Sequence, residues 1–140
     1  MWFAAPNESA IGRLDPQTGA VTLTPTGLIP RQLAIATDGQ IWFTARFTPE
    51  GVGRLNPATG QLTEFPLSDA GPQGIAAAPD GSVWFTQTTK GNIARITNDG
   101  LITEGKVVKG SEPFGITVDA GGDPWYTMLA ANKVAEFQLR

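Results

Sequence analysis

The 140-residue sequence contains neither cysteine nor histidine. Without cysteine there is no disulfide, no thiolate nucleophile and no cysteine-ligated zinc, and the redox compartment stays open. Without histidine, the side chain best suited to moving a proton near neutral pH is missing. Charge of either sign is also sparse: 10 Lys and Arg stand against 13 Asp and Glu, for a net charge of −3. The basic residues are scattered, whereas a nucleic-acid surface needs them gathered to replace counterions around phosphates. No nucleic-acid partner is therefore expected, although a local basic pocket for a small anion is compatible with this balance. No apolar run approaches membrane-spanning length, and the opening "MWFAAPNESAIGRLD" has neither a basic segment nor a long apolar one. The expectation is a soluble chain with no membrane partner and no signal peptide in this sequence, its compartment unassigned.

What is present is punctuation and repetition. Seventeen Gly and 11 Pro are too many for a helical bundle, and 41% apolar residues are too many for a disordered chain. Aromatic pairs recur as Trp2-Phe3, Trp42-Phe43, Trp84-Phe85 and Trp125-Tyr126. Each is followed by a second segment, "IGRLDPQTG", "VGRLNPATG", "IARITNDG" and "VAEFQLR", whose starts at Ile11, Val52, Ile93 and Val134 are each 41 positions apart. A third segment follows as "AVTLTP", "QLTEFP" and "LITEGKV", and a fourth precedes the aromatics as "PRQLAIATDGQ", "PQGIAAAPDGS" and "PFGITVDAGGD". Asp38-Gly39, Asp80-Gly81, Thr59-Gly60 and Asp99-Gly100 mark tight turns, because Asp bonds locally and Gly accepts positive φ.

Each unit reads as four short antiparallel strands, with bulk on both faces of "SVWFTQ". Sheets that are apolar on both faces must be stacked between neighbours. A period near 41 with four strands therefore predicts an all-β fold of propeller blades. A β-sandwich need not keep this period, and leucine-rich repeats are shorter. The whole chain, 1–140, forms one partial or self-assembling propeller domain, with blade-like units at about 1–26, 30–67, 72–107 and 113–140. The first unit lacks its opening strand and the last lacks its closing strand, which predicts fourteen strands. On this reading Trp42, Trp84 and Trp125 fill the spaces between blades.

The repeated pattern "GIAxxPDGxxWFT...xIxRI...GxITEF" resembles the blades of the streptogramin lyase, or virginiamycin B lyase, family, along essentially the whole chain. The resemblance implies a seven-bladed propeller that linearises a cyclic depsipeptide antibiotic by elimination, using magnesium, histidine and glutamate on one face. In that family the position after the proline opening each blade can carry histidine, and the residue after "WFT" can be glutamate. Here the first set is Arg31, Gln73 and Phe114, and the second is Ala45, Gln87 and Met128. Elimination needs a base and a group that stabilises the leaving side, and none of these side chains supplies a base at neutral pH.

The resulting expectation is a noncatalytic scaffold or ligand-binding module, assembled by self-association, with no cofactor. Arg31, Arg46, Gln73, Gln87 and Phe114 would form a polar patch with one aromatic surface, suited to a small anionic or sugar-like ligand. The alternative is a fragment or subunit of a magnesium-dependent lyase whose reactive residues lie in other sequence. Asp38, Asp80 and Asp99 are accounted for by their turns, so no metal ligand is assigned. "LDPQTG" and "LNPATG" are likewise read as turns, and Arg13, Arg54 and Arg95, with Glu136 in the fourth equivalent place, as a structural polar edge.

Overall fold

A computed structural model describes residues 1–138. Its fourteen strands fall into four antiparallel sheets in which chain neighbours pair. The first sheet holds β1 (Trp2–Ala5), β2 (Ala10–Leu14) and β3 (Val21–Pro25), with a short 3-10 turn at Pro6–Glu8. The second holds β4 (Gln32–Ile35), β5 (Ile41–Ala45), β6 (Gly51–Leu55) and β7 (Leu62–Pro66). The third holds β8 (Pro72–Ala77), β9 (Val83–Gln87), β10 (Asn92–Ile96) and β11 (Ile102–Lys106). The fourth holds β12 (Pro113–Val118), β13 (Pro124–Met128) and β14 (Lys133–Glu136). These are propeller blades, and the first strands of successive blades, β4, β8 and β12, lie side by side.

Strand alternation gives every blade a Trp-bearing face and a Phe- or Tyr-bearing face, and the core lies in the spaces between blades. Trp2 and Ile11 of the first blade, with Leu28 of the link that follows it, meet Phe43, Ile41 and Leu55 of the second. Trp42 and Val52 meet Phe85, Val83 and Ile96 of the third, and Trp84 and Ile93 meet Tyr126 and Met128 of the fourth. The Trp42 ring stacks on Phe65 at 5.9 Å between centroids. β5 and β9 are consequently buried at every position, which explains why their sequences carry bulk on both sides.

β13 behaves differently. Pro124, Tyr126 and Met128 are buried while Trp125 and Thr127 are exposed, because only one face of the fourth blade is covered. Among the described residues Trp125, expected to fill an interblade space, is 39% exposed, against 0% for Trp42 and 2% for Trp84. Its indole N–H donates instead to Asp119 Oδ2 at 3.2 Å.

Polar groups lock the blades together. Thr44 Oγ1 donates to the Gln73 carbonyl at 2.8 Å, and Thr86 Oγ1 repeats the contact one blade on, to the Phe114 carbonyl at 2.7 Å. Glu64 Oε1 accepts the amides of Gly27 and Leu28 at 2.8 and 2.9 Å, tying the second blade to the link that leads into it. The Asp-Gly turns form as their chemistry requires: Asp38 Oδ1 accepts the Gln40 amide at 3.0 Å and Gly39 takes φ +82°. The recurring arginines serve the architecture. Arg54 covers the Trp42 ring at 5.3 Å and donates to the Asn98 carbonyl of the next blade at 2.5 Å, whereas Arg95 binds Asp80 and Ser82 of its own blade.

Candidate functional site

The antiparallel order places the start of each blade's first strand beside the end of its second, so one rim collects all five residues of the patch expected from sequence. Arg46 follows β5, Gln73 is the second residue of β8, Gln87 ends β9, Phe114 is the second residue of β12 and Arg31 precedes β4. Two of them meet directly: Arg46 Nη1 donates to Gln73 Oε1 at 3.2 Å. Arg31 is exposed and lies over the Phe47 ring at 5.3 Å. Half-buried Phe114 contributes its carbonyl to Thr86.

The two glutamines are not open rim groups. Gln73 is 3% exposed, and its side chain is held by Arg46 while its carbonyl accepts from Thr44. Gln87 is wholly buried, and neither Oε1 nor Nε2 has a hydrogen-bond partner among the described residues. The nearby Glu104 carboxyl, held below its ordinary range chiefly by Lys90, which donates to it at 2.5 Å, stands outside hydrogen-bond geometry with this amide. A buried amide without a partner costs about 1–3 kcal/mol. Gln87→Met keeps the volume and removes both polar atoms, so urea denaturation is expected to show a gain of about 1–2 kcal/mol. An equal or lower stability would mean that the amide is satisfied in solution.

Beside these residues lies an open cleft of about 470 Å³, lined by Arg46, Thr88, Thr89, Lys90, Gly91, Gly110 and Glu112. Most of its lining comes from the β9–β10 loop and from the link between the third and fourth blades. Thr88 closes one side by donating to the Pro113 carbonyl at 2.6 Å. Of the residues expected from sequence only Arg46 reaches this cleft. Lys90 and Glu112 were missed because they stand outside the repeated pattern; the loop "TTKG" next to Gln87 hints at Lys90 alone.

The donor set does not suit magnesium, which takes oxygen ligands, usually carboxylates and water. Arg31 and Arg46 repel a cation, Phe114 offers no side-chain donor, and the Glu50 carboxylate of this rim already accepts the amides of Ala70 and Gly71 at 2.9 and 3.1 Å. Among the described residues, three carboxylates converge only at the opposite rim, where oxygens of Asp119, Asp123 and Glu136 lie within 4.8 Å of one another. No helix is long and apolar enough to cross a membrane among these residues.

Comparison with known proteins agrees with the blade geometry. A search among curated protein sequences gave no match. Among solved structures, the chain is similar to selenomethionine-substituted virginiamycin B lyase from Staphylococcus aureus, at 29% identity and a TM-score of 0.84, covering 99% of this chain and 52% of that one. It is similar to a catalytically inactive variant of the Staphylococcus aureus enzyme with quinupristin, at 32% identity and a TM-score of 0.88, covering 98% and 48%. A streptogramin B lyase gives 30% identity and a TM-score of 0.88, covering 99% and 47%. The chain thus spans about half the length of these solved relatives. The Virginiamycin B lyase family model matches residues 1–140, and with the identity to the solved lyases and the shared blade geometry this shows that the chain belongs to the virginiamycin B lyase family.

Proposed function

We propose that these 140 residues form part of a lyase-type propeller and supply substrate-holding surface, while the reactive base and the magnesium ligands come from outside them. The observation that carries this reading is the combination of a family match along the whole chain with coverage of about half of each solved lyase. The rim chemistry supports it. Arg46 and Arg31 can donate hydrogen bonds to carbonyl or carboxylate oxygens, buried Gln73 holds the Arg46 guanidinium in place, and Phe114 and Phe47 offer apolar surface. None of them can take a proton from a substrate carbon at neutral pH. The ligand class is accordingly a carbonyl-rich cyclic depsipeptide of the streptogramin B type, in place of a generic anionic or sugar-like molecule.

A second reading is the noncatalytic, self-assembling scaffold. It is favoured by the apolar side chains left uncovered at both ends of the array, Trp125 and Val134 at one end and Val21 and Leu23 at the other.

One experiment addresses the lyase reading: the chain is mixed with quinupristin and magnesium, ring opening is followed by mass spectrometry, and binding is followed by calorimetry. The expected outcome is binding without ring opening, weakened severalfold by Arg31→Ala and by Gln73→Ala. Affinity unchanged in both variants would sink the rim assignment, and ring opening that disappears when the chain is withheld would overturn the noncatalytic role. Light scattering separates the second reading, since a monomer of 14.8 kDa is incompatible with self-assembly.

A further inference from the structure

Two of the three links between blades are tied back to a loop of the blade they leave. The Thr26 amide donates to the Ser9 carbonyl of the β1–β2 loop at 2.8 Å, and the Leu67 amide to the Glu50 carbonyl of the β5–β6 loop at 2.9 Å. Ser9, Glu50 and Gly91 form one series 41 positions apart, and Thr26, Leu67 and Val108 form another. The third tie is missing: the Val108 amide has no backbone partner among the described residues, and Val108 is 63% exposed.

The second link also gives its amides to a carboxylate. Asp69 and Gly71 take φ +52° and +59°, and the amides of Ala70 and Gly71 both donate to Glu50 Oε2, at 2.9 and 3.1 Å. Left-handed residues alternating along a loop turn successive N–H groups to one side, where they hold an anion. The third link repeats these backbone turns without repeating the residues, with Gly110 at φ +74° and Glu112 at +50°. It has no carboxylate of its own to hold, because Gly91 stands where the series puts Glu50 one blade earlier. The Ser111 amide turns back to the Val108 carbonyl at 3.1 Å, and the Glu112 amide has no partner among the described residues. The Ser111 hydroxyl also lacks one, although Ser111 is only 1% exposed. A buried hydroxyl left unpaired is costly, and this one sits between two residues, Gly110 and Glu112, that line the open cleft of about 470 Å³.

We propose that the cleft between the β9–β10 loop and the third link binds a small carboxylate ligand, held by the Glu112 amide, Lys90 and Arg46 in the place that the Glu50 carboxylate fills one blade earlier. The lining has the charge for this. Arg46 brings a guanidinium already fixed by buried Gln73, so its remaining donors are oriented before any ligand arrives. Lys90 gives one donor to Glu104 and keeps the others free. Charge-assisted bonds from both cations add to the backbone amide. The one opposing charge in the lining is the carboxylate of Glu112 itself, an exposed residue. The inference rests on the repeat geometry and the cleft, so it stands or falls independently of the lyase reading.

The test is an NMR titration of the isotope-labelled chain with sodium acetate, with sodium chloride and methyl acetate as controls and the ionic strength held constant. Acetate is expected to move the Glu112 amide proton downfield to saturation, as a new hydrogen bond to an anion requires, and neither control should do so. Lys90→Ala and Arg46→Ala should each weaken acetate about fivefold. Glu112→Gly supplies the residue type of Gly71 at the same positive φ and removes the opposing carboxylate, so acetate should bind about threefold more tightly there, read at the amide of position 112. Circular dichroism checks that each variant is folded. A shift that does not saturate, one that chloride or methyl acetate reproduces, or an affinity unchanged in both cation variants overturns the proposal. Acetate saturation without quinupristin binding would leave this site standing and remove only the lyase reading.

Discussion

Trp42→Ala is expected to destabilise the chain by about 3–5 kcal/mol, whereas Trp125→Ala is expected to cost about 1 kcal/mol or less. The two residues occupy the same place in the repeat, so sequence offers no reason to rank them. Trp42 is fully buried, stacked on Phe65, capped by Arg54 and packed against the blade that carries Phe85. Truncation there removes apolar burial and leaves a cavity between two sheets that are themselves held by β-ladders and cannot collapse into it. Trp125 is 39% exposed and is covered by no blade among the described residues, so truncation in this chain returns little buried surface to water. Urea denaturation of the monomer, at concentrations low enough to exclude association, measures both. Equal losses would mean that the Trp125 face is covered in solution.

Gly74→Ala is expected to cost about 1–3 kcal/mol or more, although it adds a single methyl group. A Cβ at Gly74 would fall 2.4 Å from the Phe114 carbonyl oxygen and 3.1 Å from the Ile116 amide nitrogen. Both belong to the backbone of β12, which a rotamer change cannot move. Relief requires separating β8 from β12, and that motion would stretch the Thr86–Phe114 bond and displace the rim on which Gln73 and Phe114 sit. Gly115, at the equivalent place one blade on, meets only the Thr127 side chain, at 3.3 Å. Alanine there should cost clearly less, because a side chain can shift where a backbone cannot. Thermal denaturation of the pair checks the difference, and comparable losses would show that the spacing of β8 and β12 is not what excludes a side chain.

Much of the fold was legible because its signals are local and repeated. An Asp-Gly turn, a two-residue alternation and a 41-position recurrence depend on neighbouring residues, and together they specify strands, order and pairing. The candidate site was legible only in part. Repeat comparison located Gln73 at the place held by Arg31 and Phe114 in other blades, and its side chain meets Arg46, which follows the second strand of the preceding blade. It could not locate the cleft, which is lined by Lys90, Gly110 and Glu112 from segments that do not repeat. Nor could it separate exposed Arg31 from buried Gln87, because burial at the rim depends on what the adjacent blade places over each side chain.

By itself the sequence determined the blade unit, the repeated Asp-Gly and Thr-Gly turns and the loss of histidine and glutamate from the places where family resemblance would seek them. Those are properties of residue type and spacing. Only the tertiary structure decided which of four equivalent aromatic positions are buried, that Gln87 is enclosed without a hydrogen-bond partner among the described residues, and that Glu136 joins Asp119 and Asp123 on an uncovered face. The physical reason is that each of these depends on a neighbouring blade or on residues separated along the chain, and a repeat that looks the same in sequence becomes different once its neighbours are in place.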